Sequence, residues 1–495
     1  DQRLNGKPLR SFQIRVRDIS DRTGLLEAGC GSGKTLGAYL WASKQGHNKR
    51  VFFCYPTTAT CSEGFSGYLQ EPDFEALLKH SRAHVDYELL ENMPDLSDEL
   101  EEFSVRKLEA LETWPFPVVV CTAHTVLGLL QNFRAGIYAL PSLLKAVFVF
   151  DEIHSFSPLL FQHLLKFLEV FQETPVLLMT ATLPPERKTA LKKVCQRRGG
   201  LTEILGPPER ENAPRYSLKC LDEEAIWPII QTVLNNEGKV LWVVNTVSKA
   251  ISLAKKCRVM GFPVQPYHSR YRYKDRLKRQ RTVIDGFASG NPAMLAITTQ
   301  VAEMSLDLSA DLLISDYAPI PSLIQRLGRL NRFEDIPEKC REGIFLKPEN
   351  AAPYAKKDDE EKFFQDIERW LEKVATGENI SQQNLLAAFL EVAKEAAENS
   401  YEPVFAEWID DPSRSLKNQR SIIEPGFTIE MILEEDLGKG ELEELAIPMP
   451  FPKNPSWPKW KTKGRFVIAP LGTIEYDEFW GGTYGRTGPL EPWII

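Results

Sequence analysis

The string AGCGSGKT at Ala28 to Thr35 constrains this chain more than any other feature of it. A loop that brings several backbone N–H groups to a polyphosphate needs residues without a Cβ at its tight points and a cation at its end. Gly29, Gly31 and Gly33 meet the first need, and Lys34 the second. Lys34 is placed to reach β- and γ-phosphates, and the Thr35 hydroxyl to ligate Mg²⁺. Ala28 stands where the general pattern has its first glycine. The loop also needs a strand before it and a helix after it. Gly24 to Leu26 reads as the strand, and Leu36 to Ser43, with no proline and only Gly37, reads as the helix. The predicted framework is a parallel sheet flanked by helices.

A second string, DEIH at Asp151 to His154, follows the continuous apolar run Ala146 to Phe150. Such a run reads as a parallel strand buried on both faces. Carboxylates at the C-terminal end of a strand lie where doubly wound sheets bind ligands. With a phosphate loop upstream in the same predicted sheet, Asp151 is expected to hold Mg²⁺ and Glu152 to polarise an attacking water.

The third string, QRLGRLNR at Gln325 to Arg332, supplies positive charge for the far side of a γ-phosphate. Arg329 and Arg332 are three apart, so on a helix they share a face. An arginine finger is worth roughly 10³ to 10⁵ in rate, or ~4 to 7 kcal/mol of barrier. Lying far along the chain, these arginines would complete the site only when a second domain closes on the first, which couples hydrolysis to motion.

Strand-like runs alternate with helix-length segments from Gly24 to about Thr182 and again from Lys239 to Asp316, the pattern of parallel sheets. The Pro-rich stretch Gly206 to Pro214 reads as a hinge between them. The expected domains are 1–206, 207–345, a helical region 346–445 that includes Asp358 to Asn399, and an accessory domain 446–495. Within them, Ile447 to Trp460, with five prolines and two tryptophans, reads as an extended linker and Gly464 to Ile495 as a small β-containing cap. The acidic stretch Glu434 to Glu444 reads as a solvated loop.

Hydrophobic and charged contents of 43% and 26% are those of a soluble globular protein. No run reaches the ~18 apolar residues of a membrane span, and no signal-peptide pattern opens the chain, so a cytoplasmic location is expected. Eight cysteines without a CxxC pair argue for reduced thiols and against zinc. A net charge of −8 argues against a protein coated in nucleic acid, though not against an internal track. The segment His268 to Arg281, HSRYRYKDRLKRQR, concentrates seven Arg and Lys around Asp275 with Tyr271 and Tyr273 interleaved. Such a cluster reads either as a solvated face or as phosphate contacts with stacking tyrosines.

Taken together, the three strings resemble those of superfamily 2 helicases. In such proteins the fold is a pair of tandem RecA-like α/β domains with doubly wound parallel sheets; here a C-terminal helical linker and a small accessory domain would follow. The resemblance implies further roles. Gln13 in SFQIRV would read adenine, and Asp307 would face the nucleotide. Pro56, Thr57 and Thr58 in YPTTAT, and Thr122 in VVVCTAHTVL, would grip a nucleic-acid backbone. So would Asn245 and Thr246 in LWVVNTV, His268, Ser269 and Arg270, and Thr299 and Gln300. His154 and the Thr180, Ala181 and Thr182 of MTATLP would couple the nucleotide site to that grip, and Gln325 would join the catalytic arginines.

The run TTQVAEMSLDLSAD at Thr298 to Asp311, with the PxxxLIQRLGRLNR ending, resembles the CRISPR-associated type I helicase family, and its wording most resembles subtype D. Ser305 stands where many relatives carry Gly. Many members also carry a metal nuclease domain built on a His-Asp dipeptide, which occurs nowhere among these residues. The resemblance therefore implies a stand-alone helicase subunit: an ATP- and Mg²⁺-dependent 3′ to 5′ translocase on single-stranded DNA, the non-target strand of an R-loop. It would act with an RNA-guided, Cascade-like surveillance complex and a separate His-Asp nuclease. An RNA helicase or RNA-stimulated ATPase of the same superfamily is an alternative, and a non-catalytic recruitment platform another.

Overall fold

The computed structural model describes residues 8–29, 31–57, 60–61, 76–79, 116–131, 140–304, 306–334, 336–374, 379–396, 401–406, 428–452, 459–464 and 466–485. Two compact units divide the chain, Asp1–Glu211 with Ala393–Glu424 and Asn212–Val392 with Pro425–Ile495.

The first unit is built on strands β1 (Thr23–Glu27), β2 (Arg50–Tyr55), β3 (Ala76–Lys79), β4 (Val118–Thr122), β5 (Ala146–Phe150), β6 (Val176–Thr180) and β7 (Thr202–Leu205). They form one sheet in the order β3-β4-β2-β5-β6-β1-β7, with every neighbouring pair parallel. Successive side chains point to opposite faces of a strand. Phe52, Cys54, Phe148 and Phe150 accordingly enter one core layer, and Val51, Phe53, Val147 and Val149 the other. Both faces are covered, which is why these strands are apolar throughout. The order matters for chemistry: β1, β6 and β5 are adjacent, so their C-terminal ends bring Ala28, Thr180 and Asp151 to one edge of the sheet.

The second unit repeats the plan with β8 (Pro214–Cys220), β9 (Lys239–Val243), β10 (Val264–Tyr267), β11 (Met294–Thr298), β12 (Leu312–Asp316), β13 (Arg341–Leu346) and β14 (Ile380–Ser381) in the order β10-β11-β9-β12-β13-β8-β14. Only β14 is antiparallel. The chain is thus an α/β protein with two RecA-like domains. The Gly206 to Pro214 segment holds a short helix, Pro208–Glu211, and Pro214 already opens β8.

The Asp358 to Asn399 segment holds helices Glu360–Val374 and Gln382–Ala396. In the first, Phe364, Ile367, Trp370, Leu371 and Val374 are buried at helical spacing. Further on, β15 (Thr428–Leu433), β16 (Ile447–Pro450), β17 (Thr462–Lys463) and β18 (Phe466–Ala469) make a sheet in the order β16-β15-β18-β17, and β19 (Ile474–Asp477) pairs with β20 (Gly481–Tyr484). The expected linker at Ile447 to Trp460 therefore begins as a strand. Its prolines are tolerated because β16 is an edge, where a missing N–H breaks no ladder, while Ile447 and Met449 are buried. Among the described residues no helix is long and apolar enough to cross a membrane.

Candidate nucleotide site and nucleic-acid segments

Gly31 and Gly33 have φ of 72° and 91°, a left-handed backbone that favours glycine. Gly33 caps the helix Lys34–Gln45, so the first free N–H groups of that helix face the loop. The Gln13 side chain is buried against it, with Nε2 donating to the Gly33 carbonyl at 3.2 Å. A Cβ at Gly33 would stand 2.7 Å from that nitrogen. Arg10 donates to the Ser32 carbonyl at 2.6 Å and its N–H to Gln13 Oε1 at 2.9 Å, fixing the amide's orientation. At the loop's start, Gly29 N–H donates to Glu211 Oε1 at 2.9 Å.

Lys34 is 8% exposed, and its Nζ donates to the Ala28 carbonyl at 2.9 Å and lies 3.5 Å from Glu152 Oε1. Asp151 sits beside them. Its desolvation, reinforced by the Glu152 charge and opposed by Lys34, pushes its carboxyl up to about 7. Two crowded carboxylates facing one ammonium form a donor set that fits a divalent cation. Glu152 itself has φ of 48°, unusual for a residue with a side chain.

A row of polar side chains runs from this corner. Glu152 Oε2 lies 3.3 Å from His154 Nδ1, which is 3.0 Å from Thr180 Oγ1. The Thr180 hydroxyl gives its single proton to the Thr182 carbonyl at 2.6 Å. It must therefore accept from His154, which puts a proton on Nδ1. Ala181, between the threonines, is buried. Arg187 braces the same segment from below, donating to the His154 carbonyl at 3.2 Å with its guanidinium 4.8 Å from the Phe161 ring centre.

Of the expected nucleic-acid residues in this unit, Pro56 is buried and Thr57 half-buried. Thr57 forms a tight turn with Thr60 through paired hydroxyls 3.0 Å apart. Thr122 ends β4, its hydroxyl 2.9 Å from that of Thr125. Thr58 and Ser305 lie outside the described residues.

In the second unit the motif side chains are largely turned inward. Asn245 is buried and its Nδ2 donates to the Tyr317 carbonyl at 2.7 Å. Thr246 caps the helix Val247–Val259, Thr299 is buried, and Gln300 donates to the Asn245 carbonyl at 2.8 Å. Their hub is Arg326, fully buried. It meets Glu303 at 2.8 Å, the Ser315 hydroxyl at 2.9 Å, the Asp316 carbonyl at 3.1 Å and the Tyr354 hydroxyl at 2.9 Å.

The expectation that Arg329 and Arg332 share a helix face needs correction. The helix Ile320–Leu327, which buries Gln325, ends at Gly328. Leu330 then bridges to Ala310, and Asn331 turns left-handed with φ of 49°. Arg329 is buried, donating to the carbonyls of Glu303 and Leu306, while Arg332 pairs with Asp307. Both arginines are held by the Thr298 to Asp311 run rather than by helical geometry.

The basic segment is also different from a free track. Tyr271 and Tyr273 are buried, so neither can stack a base. Arg272 is spent on a bidentate pair with Asp436, which is itself 2% exposed. The acidic stretch is thus partly a buried partner. Arg279 lies on Phe479, its guanidinium 4.6 Å from the ring centre. His268 is buried, and burial with the nearby Arg270 charge pushes its imidazole down to about 3. Ser269 and Arg270 are half-buried, whereas Lys274, Lys278 and Arg281 remain exposed at helical spacing on Tyr273–Gly286.

Sequence reasoning passed over Arg187, Glu211, Glu303 and Arg326. The only available signal was a charged residue within an apolar helical pattern, as for Arg326 between Ile324 and Leu327.

The DEAD/DEAH box helicase family matches residues 13–190, and the family described as CRISPR-associated nuclease/helicase Cas3, C-terminal, matches residues 236–335. A putative CRISPR-associated nuclease/helicase Cas3 of Myxococcus xanthus (strain DK1622) is 39% identical over 503 residues. That alignment takes in 98% of this chain, which spans only 65% of the relative's length. The crystal structure of T. fusca Cas3-AMPPNP superposes with a TM-score of 0.71 at 17% identity, over 96% of this chain and 70% of that one. A chain of a CRISPR RNA-guided surveillance complex, pre-nicking, gives 0.66 at 17% identity, over 98% and 71%. Profile matches, whole-chain identity and the ordered motif segments on two RecA-like sheets agree: the chain belongs to the Cas3-like helicases.

Proposed function

We propose that the chain is an ATP-dependent 3′ to 5′ translocase on single-stranded DNA that unwinds target DNA in CRISPR interference. The observation that carries this reading is the convergence of Lys34, Glu152, His154 and Thr180 at the ends of three adjacent parallel strands. ATP supplies the phosphoryl group whose transfer to water releases the driving energy. Gln13 would read the adenine edge; Gly29, Gly31 and Gly33 would let the backbone approach the phosphates. Lys34 would exchange the Ala28 carbonyl for phosphate oxygens. Thr35 and Asp151 would hold Mg²⁺, Glu152 would orient and deprotonate water, and Arg329 and Arg332 would stabilise the charge that develops. Through His154 and Thr180, the state of Glu152 is passed to the Thr180–Thr182 segment.

Thr57, Thr246, Ser269 and Arg270 would grip the strand backbone, with buried Pro56, Thr122, Asn245, His268 and Thr299 and half-buried Gln300 shaping those loops from behind. These residues contain no His-Asp dipeptide, so cutting is assigned to a metal nuclease outside them. The likeness to a chain of an RNA-guided surveillance complex supports such a complex as the partner that loads the motor. Comparison of ATP hydrolysis with single-stranded DNA and with RNA of equal length tests the reading. Stimulation by DNA in clear excess over RNA is expected; stimulation by RNA alone would make the protein an RNA-dependent ATPase.

A further inference from the structure

The tight turn of the β19–β20 hairpin meets the His268–Arg272 segment through several backbone hydrogen bonds. Asp477 Oδ1 accepts the N–H groups of Phe479 and Trp480, each at 2.8 Å, and so turns their carbonyls outward. The Phe479 carbonyl accepts the Tyr271 hydroxyl at 2.7 Å, and the Trp480 carbonyl accepts His268 Nε2 at 3.1 Å. Arg270 N–H donates to His268 Nδ1 at 3.2 Å, so the imidazole is neutral with its proton on Nε2. Gly482 N–H donates to the Arg270 carbonyl at 2.7 Å. Tyr476 accepts Arg272 N–H at 3.1 Å and donates to Asp275. Gly481, with φ of 79°, lies where a Cβ would come within 2.6 Å of the Arg270 carbonyl.

A hairpin that merely covered the sheet would be expected to extend β10, the edge strand. These hydrogen bonds instead fall past its end, on residues 268, 270, 271 and 272. They fix the loop backbone and bury His268 and Tyr271, leaving Ser269 and Arg270 as the half-exposed side chains.

We propose that the β19–β20 hairpin is a positioning element for the strand-gripping loop, with Tyr476 and Asp477 as positioning residues that hold Ser269 and Arg270 in the conformation that contacts single-stranded DNA. The inference rests on the reading of residues 268–270 as a nucleic-acid contact. It requires that loosening the hairpin weaken DNA binding without touching the nucleotide site.

The test is ATP hydrolysis titrated with single-stranded DNA, using the full chain and the variants Tyr476→Phe, Asp477→Ala and Asp477→Asn. Tyr476→Phe and Asp477→Ala should raise the DNA concentration for half-maximal stimulation about three- to tenfold, the range of one net hydrogen bond. Hydrolysis without DNA and the rate at saturating DNA should stay at the unmodified level. Asp477→Asn keeps the acceptor oxygen and should behave as the unmodified protein, an outcome a charge effect would not give. An unchanged half-maximal concentration in both weakened variants overturns the hairpin's role. So does a loss of saturated rate that merely follows a fall in thermal midpoint. Should the unmodified chain show no stimulation by DNA, the reading of the loop fails first and the hairpin's role with it.

Discussion

At position 152 the backbone is strained where the proposed chemistry is most demanding. A left-handed conformation costs an L-residue about 1 to 2 kcal/mol, and Glu152 adopts it with its carboxylate between Lys34 and His154. The roles of these neighbours separate by experiment. Glu152→Gln keeps the shape and lowers basicity, so ATP affinity should stay near normal while hydrolysis falls about 10²- to 10⁴-fold; equilibrium nucleotide binding alongside steady-state turnover checks both. Lys34→Ala should lose affinity and turnover together. Arg332→Ala should lower turnover with little change in ATP affinity, as for a contact made mainly in the transition state. If it instead shifts only the DNA requirement, Arg332 belongs to the grip. The loop and the Asp-Glu pair could be picked out in the sequence because a phosphate site would demand fixed residue types at short spacing. Glu152's backbone was not, since nothing in DEIH distinguishes left-handed from right-handed turns.

Among the elements, parallel strands were the most legible and the segment after Leu327 the least. Strands such as Ala146–Phe150 are buried on both faces, and continuous apolarity is their direct trace. Arg329 and Arg332, by contrast, have helical spacing but lie beyond a helix that stops at Gly328, held by carbonyls and a carboxylate from residues 303–307. Arg326 organises this element from within. Replacing it with Met leaves the largely covered Glu303 carboxylate without its partner and should cost about 3 kcal/mol, read as a lower denaturant midpoint. His268 gives the second sheet's loop a pH signature. Its folded imidazole stays neutral down to about pH 3, whereas an unfolded one protonates near 6.5. Stability contributed at neutral pH is therefore lost as pH falls below 6.5, by up to about 1.4 kcal/mol per pH unit. The thermal midpoint of His268→Asn should fall less steeply from pH 6.5 to 4.5 than that of the unmodified protein.

On the scale of the whole molecule, two parallel α/β sheets followed from alternation alone, while the fate of the basic segment did not. Arg272 and Tyr476 are 204 residues apart, and Arg272 and Asp436 are 164 apart. Local spacing carries no record of a cover supplied so far along the chain, so the segment read as a solvated face or a track with stacking tyrosines, when Tyr271 and Tyr273 are core. Similarly, Ile447–Pro450 read as a linker because proline is rare in strands, and only the edge position given by the full sheet order admits it. What the two sheets do together is the central claim, and directional unwinding measures it most directly. Strand displacement should be followed on partial duplexes carrying either a 3′ or a 5′ single-stranded DNA tail, with ATP and Mg²⁺, beside the Glu152→Gln protein. The account predicts ATP-dependent displacement of the 3′-tailed duplex, little of the 5′-tailed one, and none with Glu152→Gln. Equal displacement without ATP, or displacement that survives Glu152→Gln at the unmodified rate, would contradict it.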